Sequence, residues 1–283
     1  GNRAKKEGDS IVGGRCGMGI GNRGPSLGFL NSEYSGGMGM NVVGPAGDKL
    51  QAVDFALIEI QSRIRSDFNW DVSDDYDSAE ALADSAGGLN CTNNAFNNLK
   101  DRFNNCSNVV ILGAAVEPKD LYPFDNECLF VAADGSVGVF DELPDEDAKS
   151  AWQRLALVVS DADGGDATLK AASMSIPFAL HAHGDNKKEW PKLLSILDTQ
   201  CDLLLLTHQC PDEINGMVNP GGFTDGDRAA CIVAACDVPI SKITLLGFQS
   251  DFVGRWTGIT DPVLKLRKLK WMDEVLQLLK GVA

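Results

Sequence analysis

The sequence predicts an α/β fold, a mostly parallel sheet with helices on both faces, preceded by a small helical region. Three observations carry this. From residue 106 onward short apolar runs alternate with stretches of helical periodicity, the order that βαβ units impose. The runs are almost unbroken in Val, Leu, Ile, Phe and Ala, as strands covered on both faces are. Three of them also end in acidic, glycine-containing steps, at Asp134-Gly135, Asp161-Ala162-Asp163-Gly164 and His183-Gly184-Asp185. The carboxyl ends of parallel strands form one rim, and ligands bind in the crevice along it.

Taken in order, residues 1–45 are glycine-rich and nearly free of apolar period, which reads as a flexible leader. Gly19, Gly21 and Gly24 have the spacing of a dinucleotide fingerprint. That fingerprint needs a strand before it and a helix after it, and neither is visible. Met40 is a candidate start of translation. Within 48–67, Leu50, Val53, Leu57, Ile60 and Ile64 recur at three and four, predicting an amphipathic helix. Two more helices are expected over 76–86 and 93–103, broken at Gly87-Gly88, so that 46–105 forms a helical N-terminal region. Strands follow at 108–112, 128–133, 155–160, 176–181, 202–207 and 242–246 of an α/β region spanning 106–283. Helices are predicted at 166–175, 187–200, 225–236 and 262–280.

A net charge of −15 over 283 residues argues against a nucleic-acid or anionic-membrane surface. The first 45 residues hold five Lys/Arg against three Asp/Glu, so the acidity belongs to the folded part. The eight cysteines are scattered, and Cys128, Cys201 and Cys231 sit in apolar runs, as buried thiols of a reducing compartment do. Cys231 and Cys236 lie five apart on a predicted helix, on different faces, which disfavours a shared zinc. No run reaches the length of a membrane span, and no secretory leader opens the chain. A cytoplasmic protein is expected, with no nucleic-acid or membrane partner. A homo-oligomer is compatible with the sequence.

Asp161 and Asp163, two apart beyond a strand, could face one cation if the segment stays extended. Paired hard oxygen ligands suit magnesium. Asp and Gly are also what turns demand, so each step read alone is equally a turn. In Gly221-Gly222-Phe223-Thr224-Asp225-Gly226-Asp227-Arg228, Thr224 or Asp225 could cap a helix whose free amides attract phosphate. Two acids in the first turn would also satisfy the helix dipole without any ligand. His181 and His183 could share a strand face, as in metal-dependent hydrolases. With His208 the only other histidine, ligands for such a site are short. His183-Gly184-Asp185-Asn186 is the more functional half of that segment. Lys265, Arg267 and Lys268 form a basic cluster, read either as a solvated helix face or as a neutraliser of phosphates. No P-loop sequence is present.

These motifs, in this order, resemble the archaeal 6-hydroxymethyl-7,8-dihydropterin pyrophosphokinase family over about residues 106–283. That family is similar to the thiamine pyrophosphokinase catalytic domain, and the resemblance implies its α/β architecture. It further implies magnesium-dependent transfer of pyrophosphate from ATP to a reduced pterin, releasing AMP, in folate or methanopterin synthesis. By the same match Asp161 and Asp163 would hold the metal, with Asp185 and Asp225 as further catalytic acids. Asp134, Gly135, His183, Asn186, Thr224, Asp227, Arg228, Lys265, Arg267 and Lys268 would line the nucleotide and phosphate pocket. One stretch departs from the family pattern: Gly113-Ala114-Ala115-Val116-Glu117-Pro118 stands where a Gly-Pro-Ser loop usually follows the first strand. A thiamine pyrophosphokinase and a noncatalytic nucleotide-binding module are the alternatives.

Overall fold

Six strands form one sheet in the order β5-β4-β3-β2-β1-β6, every neighbouring pair parallel. They are β1 Val109–Leu112, β2 Leu129–Ala133, β3 Leu155–Ser160, β4 Phe178–His181, β5 Leu204–Thr207 and β6 Ile243–Leu246. The α/β expectation holds. The computed structural model describes residues 50–87, 92–184, 186–201 and 203–283. The glycine-rich leader, with its fingerprint-like spacing and Met40, lies outside the described residues, as do Gly88 and Asp185.

The helices are α1 Ala56–Phe68, α2 Val72–Ser85, α3 Thr92–Asn104, α4 Asp145–Arg154, α5 Gly165–Ser173, α6 Trp190–Gln200, α7 Asp225–Ala235 and α8 Pro262–Val282. Each strand from β1 to β5 is laid down beside its predecessor, so the crossovers α4, α5 and α6 fall on one face with α2. The chain then returns through α7 to place β6 on the far side of β1, which puts α7 with α1, α3 and α8 on the opposite face. A parallel strand pair joined by a right-handed crossover permits no other distribution. Alternate strand residues serve the two layers, apart from Ala156 and Leu157 of β3, which both enter one core where the register shifts. Val110 and Leu112 enter one core and Val109 and Ile111 the other, all fully buried.

The reversal between β1 and β6 is the switch point of this sheet, where the loops after two neighbouring strands part and leave a crevice. Residues Pro45–Ala283 form one compact unit. The helices α1 and α3 contribute Leu57, Ile60, Ile64, Leu99 and Phe103 to the same core as β1 and β3.

Three differences from the sequence reading have local causes. The first helix begins at Ala56 rather than near 48, because the Asp54 carboxylate accepts from the Ala56 amide at 2.8 Å and opens the helix there. Helix α2 begins at Val72 rather than near 76, where Asp71 accepts from the Ser73 amide at 2.9 Å. Helix α4 was not predicted. Its apolar face is only Ala148, Ala151 and Trp152, but Asp145, Glu146 and Asp147 in its first turn after Pro144 are a start signal. Among the described residues no helix is long and apolar enough to cross a membrane.

Candidate active site

The acidic steps meet at the carboxyl rim. Asp134 begins the turn after β2 in a left-handed conformation with φ 49°. Its carboxylate is buried and accepts from Ser160 Oγ at 2.5 Å. That serine is the last residue of β3, and its oxygen also accepts from the Ala162 amide at 2.9 Å. Ala162 has φ 80°. The extended geometry assumed for Asp161 and Asp163 is therefore absent. A tight left-handed turn, stored as local strain, brings the two acids together instead. Asp134, Asp161 and Asp163 each offer a carboxylate oxygen within 4.8 Å of the others. Gly164 makes this possible, since a Cβ there would fall 2.4 Å from both Asp134 carboxylate oxygens and 2.3 Å from Thr168 Oγ1.

Electrostatically the cluster is under-neutralised. Burial pushes the Asp134 carboxyl well above the usual carboxylate range, and repulsion from Asp225, Asp161 and Asp163 adds to it. Asp225 and Asp163 are raised by burial first, and by Asp161 next. Burial acts the same way on Asp161, but His183 Nε2 lies 3.1 Å from its Oδ2 and, with the charge of that ring, holds the carboxyl well below its usual range.

Two cavities flank these acids. The first lies in the crevice between the loops after β1 and β6, about 110 Å³, with Gly113, Ala114, Asp134, Asp163, Phe248, Trp256 and Met272 among its walls. The two loops interlock. Trp256 donates its amide to Ala114 and its Nε1 to the Val116 carbonyl, both at 2.9 Å. A Cβ on Gly254 would sit 2.3 Å from the Ala114 backbone, and one on Gly247 2.1 Å from the Val116 nitrogen. Glu117, the acid in the departing stretch, is turned onto Arg255 at 3.1 Å, and Arg255 also pairs with Glu142. The second cavity, about 330 Å³, opens between the α1–α2 junction and the end of β4, lined by Trp70, Asp74, Asp75, His181, Gln209, Phe223 and Arg228. Asp161, Thr224, Asp225, Lys265 and Lys268 line both.

Comparison with curated proteins supplies the decisive observation. Residues of this chain match a protein of Pyrococcus furiosus at 37% identity over 132 residues, 44% of this chain and 54% of that protein. A second match, in Methanocaldococcus jannaschii, is 27% identical over 246 residues and covers 92% of that relative. A third, in Methanothermobacter thermautotrophicus, is 28% identical over 173 residues and 65% of its length. All three are named 6-hydroxymethyl-7,8-dihydropterin pyrophosphokinase. The chain resembles the archaeal 6-hydroxymethyl-7,8-dihydropterin pyrophosphokinases. It matches about half the length of the first of these pyrophosphokinases, and no family model matches it.

Of the residues that the pyrophosphokinase resemblance singles out, Asp134, Asp161, Asp163, Thr224, Asp225, Lys265 and Lys268 converge on the crevice. Gly135 lies at its edge, where a Cβ would meet the Trp256 carbonyl at 2.9 Å. His183 lines the second cavity and bonds to Asp161. Asn186 is buried and spent on the scaffold: its Nδ2 donates to the Asp161 and His181 carbonyls, and its Oδ1 accepts from the His183 amide and Ser78 Oγ. Asp227 is also structural. Its carboxylate accepts the amides of Phe223 at 2.7 Å and Thr224 at 2.8 Å, which closes the capping box of α7 and leaves Asp225 as the acid of that turn that faces the cavities.

Arg228 is fully buried, giving hydrogen bonds to the carbonyls of Phe223 at 2.9 Å and Gly221 at 3.4 Å. The Gly221-Gly222 pair, at φ 87° and 85°, passes so close to it that a Cβ on Gly222 would lie 2.4 Å from Arg228 Cα. Arg267 is directed elsewhere, its Nε donating to Asp67 at 2.9 Å and its guanidinium lying 4.4 Å over the Phe68 ring. Helix geometry explains the split. Lys265, Lys268, Leu269 and Met272 follow i, i+3, i+4, i+7 on one face of α8, whereas Arg267 is rotated roughly 200° from Lys265. Sequence reasoning missed Trp70, Asp75 and Gln209, which come from the N-terminal helices and the loop after β5. It also missed Phe248 and Trp256 in the loop after β6. The Trp256-Thr257-Gly258 and Asn69-Trp70-Asp71 segments, aromatic residues among loop formers, are signals that could have drawn notice.

Proposed function

We propose that this chain transfers pyrophosphate from ATP to 6-hydroxymethyl-7,8-dihydropterin, releasing AMP, in a magnesium-dependent reaction of the folate and methanopterin type of synthesis. The observation that carries the reading is the convergence of Asp134, Asp161 and Asp163 at the switch point of a parallel sheet, beside Lys265 and Lys268. The names of the three relatives give the transferred group and the acceptor. Magnesium fits the donor set, because three hard carboxylate oxygens with raised Asp134 and Asp163 lack a matching cation, and this ion takes few carboxylates and completes its shell with phosphate oxygens. Asp161 and Asp163 would hold it, with Asp134 as a third ligand or a support. Bound there, it supplies neutralisation of the phosphate charge that otherwise repels an incoming hydroxyl.

The protein's own share is positioning. Lys265 and Lys268, one turn apart on α8, hold the polyphosphate from the same crevice wall that faces the acids. Asp225 and the first turn of α7 bound the crevice next to them. The hydroxymethyl oxygen has to reach the β-phosphorus in line with the departing AMP oxygen, and little covalent chemistry is asked of the side chains. The helical N-terminal region serves as one wall of the acceptor side, and the enzyme acts in the cytoplasm. The test is a coupled assay with ATP, magnesium and the reduced pterin. Pterin-dependent AMP release is expected; ADP as product, or equal turnover with thiamine, overturns the reading.

A further inference from the structure

The second cavity has features that the transfer chemistry does not use. Arg228 and His181 both line it, each about 1% exposed, and each keeps one nitrogen, Arg228 Nε and His181 Nε2, without a hydrogen-bond partner among the described residues. Unpaired polar atoms at that depth are costly in a folded protein and point to a missing ligand group. Their polarities differ. A guanidinium Nε–H can only donate. On His181, Nδ1 lies 3.1 Å from Thr207 Oγ1, and that hydroxyl gives its own proton to the Leu180 carbonyl, so Nδ1–H donates to it and Nε2 keeps a lone pair. Burial first, and the neighbouring Arg228 charge next, keep this imidazole neutral, and the Gln209 side chain on the cavity wall acts weakly in the opposite sense. Trp70 and Phe223 line the cavity as one aromatic wall, their rings 6.1 Å apart and tilted by 42°, with Phe68 stacked on Trp70 at 4.5 Å.

Resting on the function proposed above, we infer that this cavity is the acceptor pocket and that Arg228 and His181 read a lactam edge, Arg228 Nε–H donating to the ring carbonyl oxygen and His181 Nε2 accepting from the adjacent ring N–H. Trp70 and Phe223 supply the aromatic wall beside the flat heterocycle. The acceptor enters from the α1–α2 side, and its substituent points past Asp161 toward the nucleotide crevice.

Binding to the intact protein, measured by calorimetry without ATP or metal, tests this with two probes. One is 6-hydroxymethyl-7,8-dihydropterin. The other is the corresponding 2,4-diamino heterocycle, whose edge presents donor and acceptor in swapped positions. The lactam should bind and the diamino compound should bind about a hundredfold more weakly, the scale set by leaving buried polar groups unsatisfied. His181→Phe and Trp70→Leu should each raise the KM for the pterin about tenfold while leaving the KM for ATP unchanged. Trp70, 39% exposed, carries the test where the buried variant does not fold. Equal affinity for the two heterocycles, or a pterin KM unaltered in Trp70→Leu, overturns the inference while leaving the transfer activity standing. Absence of pterin-dependent AMP release overturns the underlying function and this inference with it.

Discussion

The crevice between β1 and β6 and the cavity beside the α1–α2 junction share five residues, yet they are assembled by different means. The first is walled by loops that leave strand ends, so its acids are fixed by backbone turns at Asp134 and Ala162. The second is walled by side chains from distant parts of the chain. A buried pair of Arg65 and Asp75, 3.3 Å apart, ties α1 to α2, and Asp75 also accepts from the Gly184 amide and Gln209 Nε2. One region holds negative charge that wants a cation. The other holds a buried guanidinium beside the neutral imidazole of His181. In the function proposed above, charge in the first serves catalysis and polarity in the second serves recognition.

The largest effect should come from the rim. Asp161→Ala and Asp163→Ala should each lower kcat by roughly a thousandfold or more, as loss of metal-borne charge stabilisation does. Near-normal turnover in both would reduce them to turn residues. Gly164→Ala should follow, since its Cβ cannot coexist with the present position of Asp134. A displacement of about 1 Å in a reacting array costs on the order of a hundredfold in rate. An unaltered kcat in a folded Gly164→Ala protein would show that Asp134 is dispensable.

Titration separates the two regions next. Burial, aided by Arg228, depresses the His208 imidazole to about 4 in the folded chain. The unfolded chain therefore binds more protons over the interval from about 6.5 down to about 4, so this group's stabilisation is complete above that window and is lost as pH falls through it. The loss should be on the order of 3 kcal/mol, read as the difference in unfolding free energy between pH 7 and pH 4 for wild type against His208→Gln. Raised Asp134 and Asp225 act in the opposite sense: their repulsion is greatest at neutral pH and is relieved on acidification. Magnesium should accordingly raise Tm at pH 7 and do so less at pH 5, whereas it should leave the His208 difference untouched. The smallest effect belongs to Arg267→Ala, which should leave the KM for ATP at its wild-type value while Lys265→Ala raises it severalfold, as measured in the same AMP-release assay.

The six strand segments along the chain and the strand-end or helix-start placement of Asp161, Asp163 and Asp225 were legible because apolar runs and strand-end turns are local signals. Lys265 and Lys268 were found with Arg267, and only the rotation of α8 separates them. What sequence periodicity could not convey was the tertiary placement of Trp70, Asp75 and Gln209, since α2, which bears Asp75, reads as ordinary amphipathic packing, and the α1–α2 junction and the loop after β5, which bear the other two, have no period. The same limit hid the roles of Asp227 and Asn186. Their residue types suit ligand binding, and only their hydrogen bonds show them spent on the α7 cap and on the backbone around Asp161.

The wall between the two cavities is one layer of side chains, with Asp161 and Asp225 exposed to both sides. An occupant of either space therefore alters the field felt by an occupant of the other. Thermodynamic reciprocity then requires that whatever factor the nucleotide adds to the affinity for the acceptor, the acceptor returns to the nucleotide. With so thin a partition, the two substrates of the proposed reaction would titrate one shared set of charges, and their binding would be a single linked equilibrium.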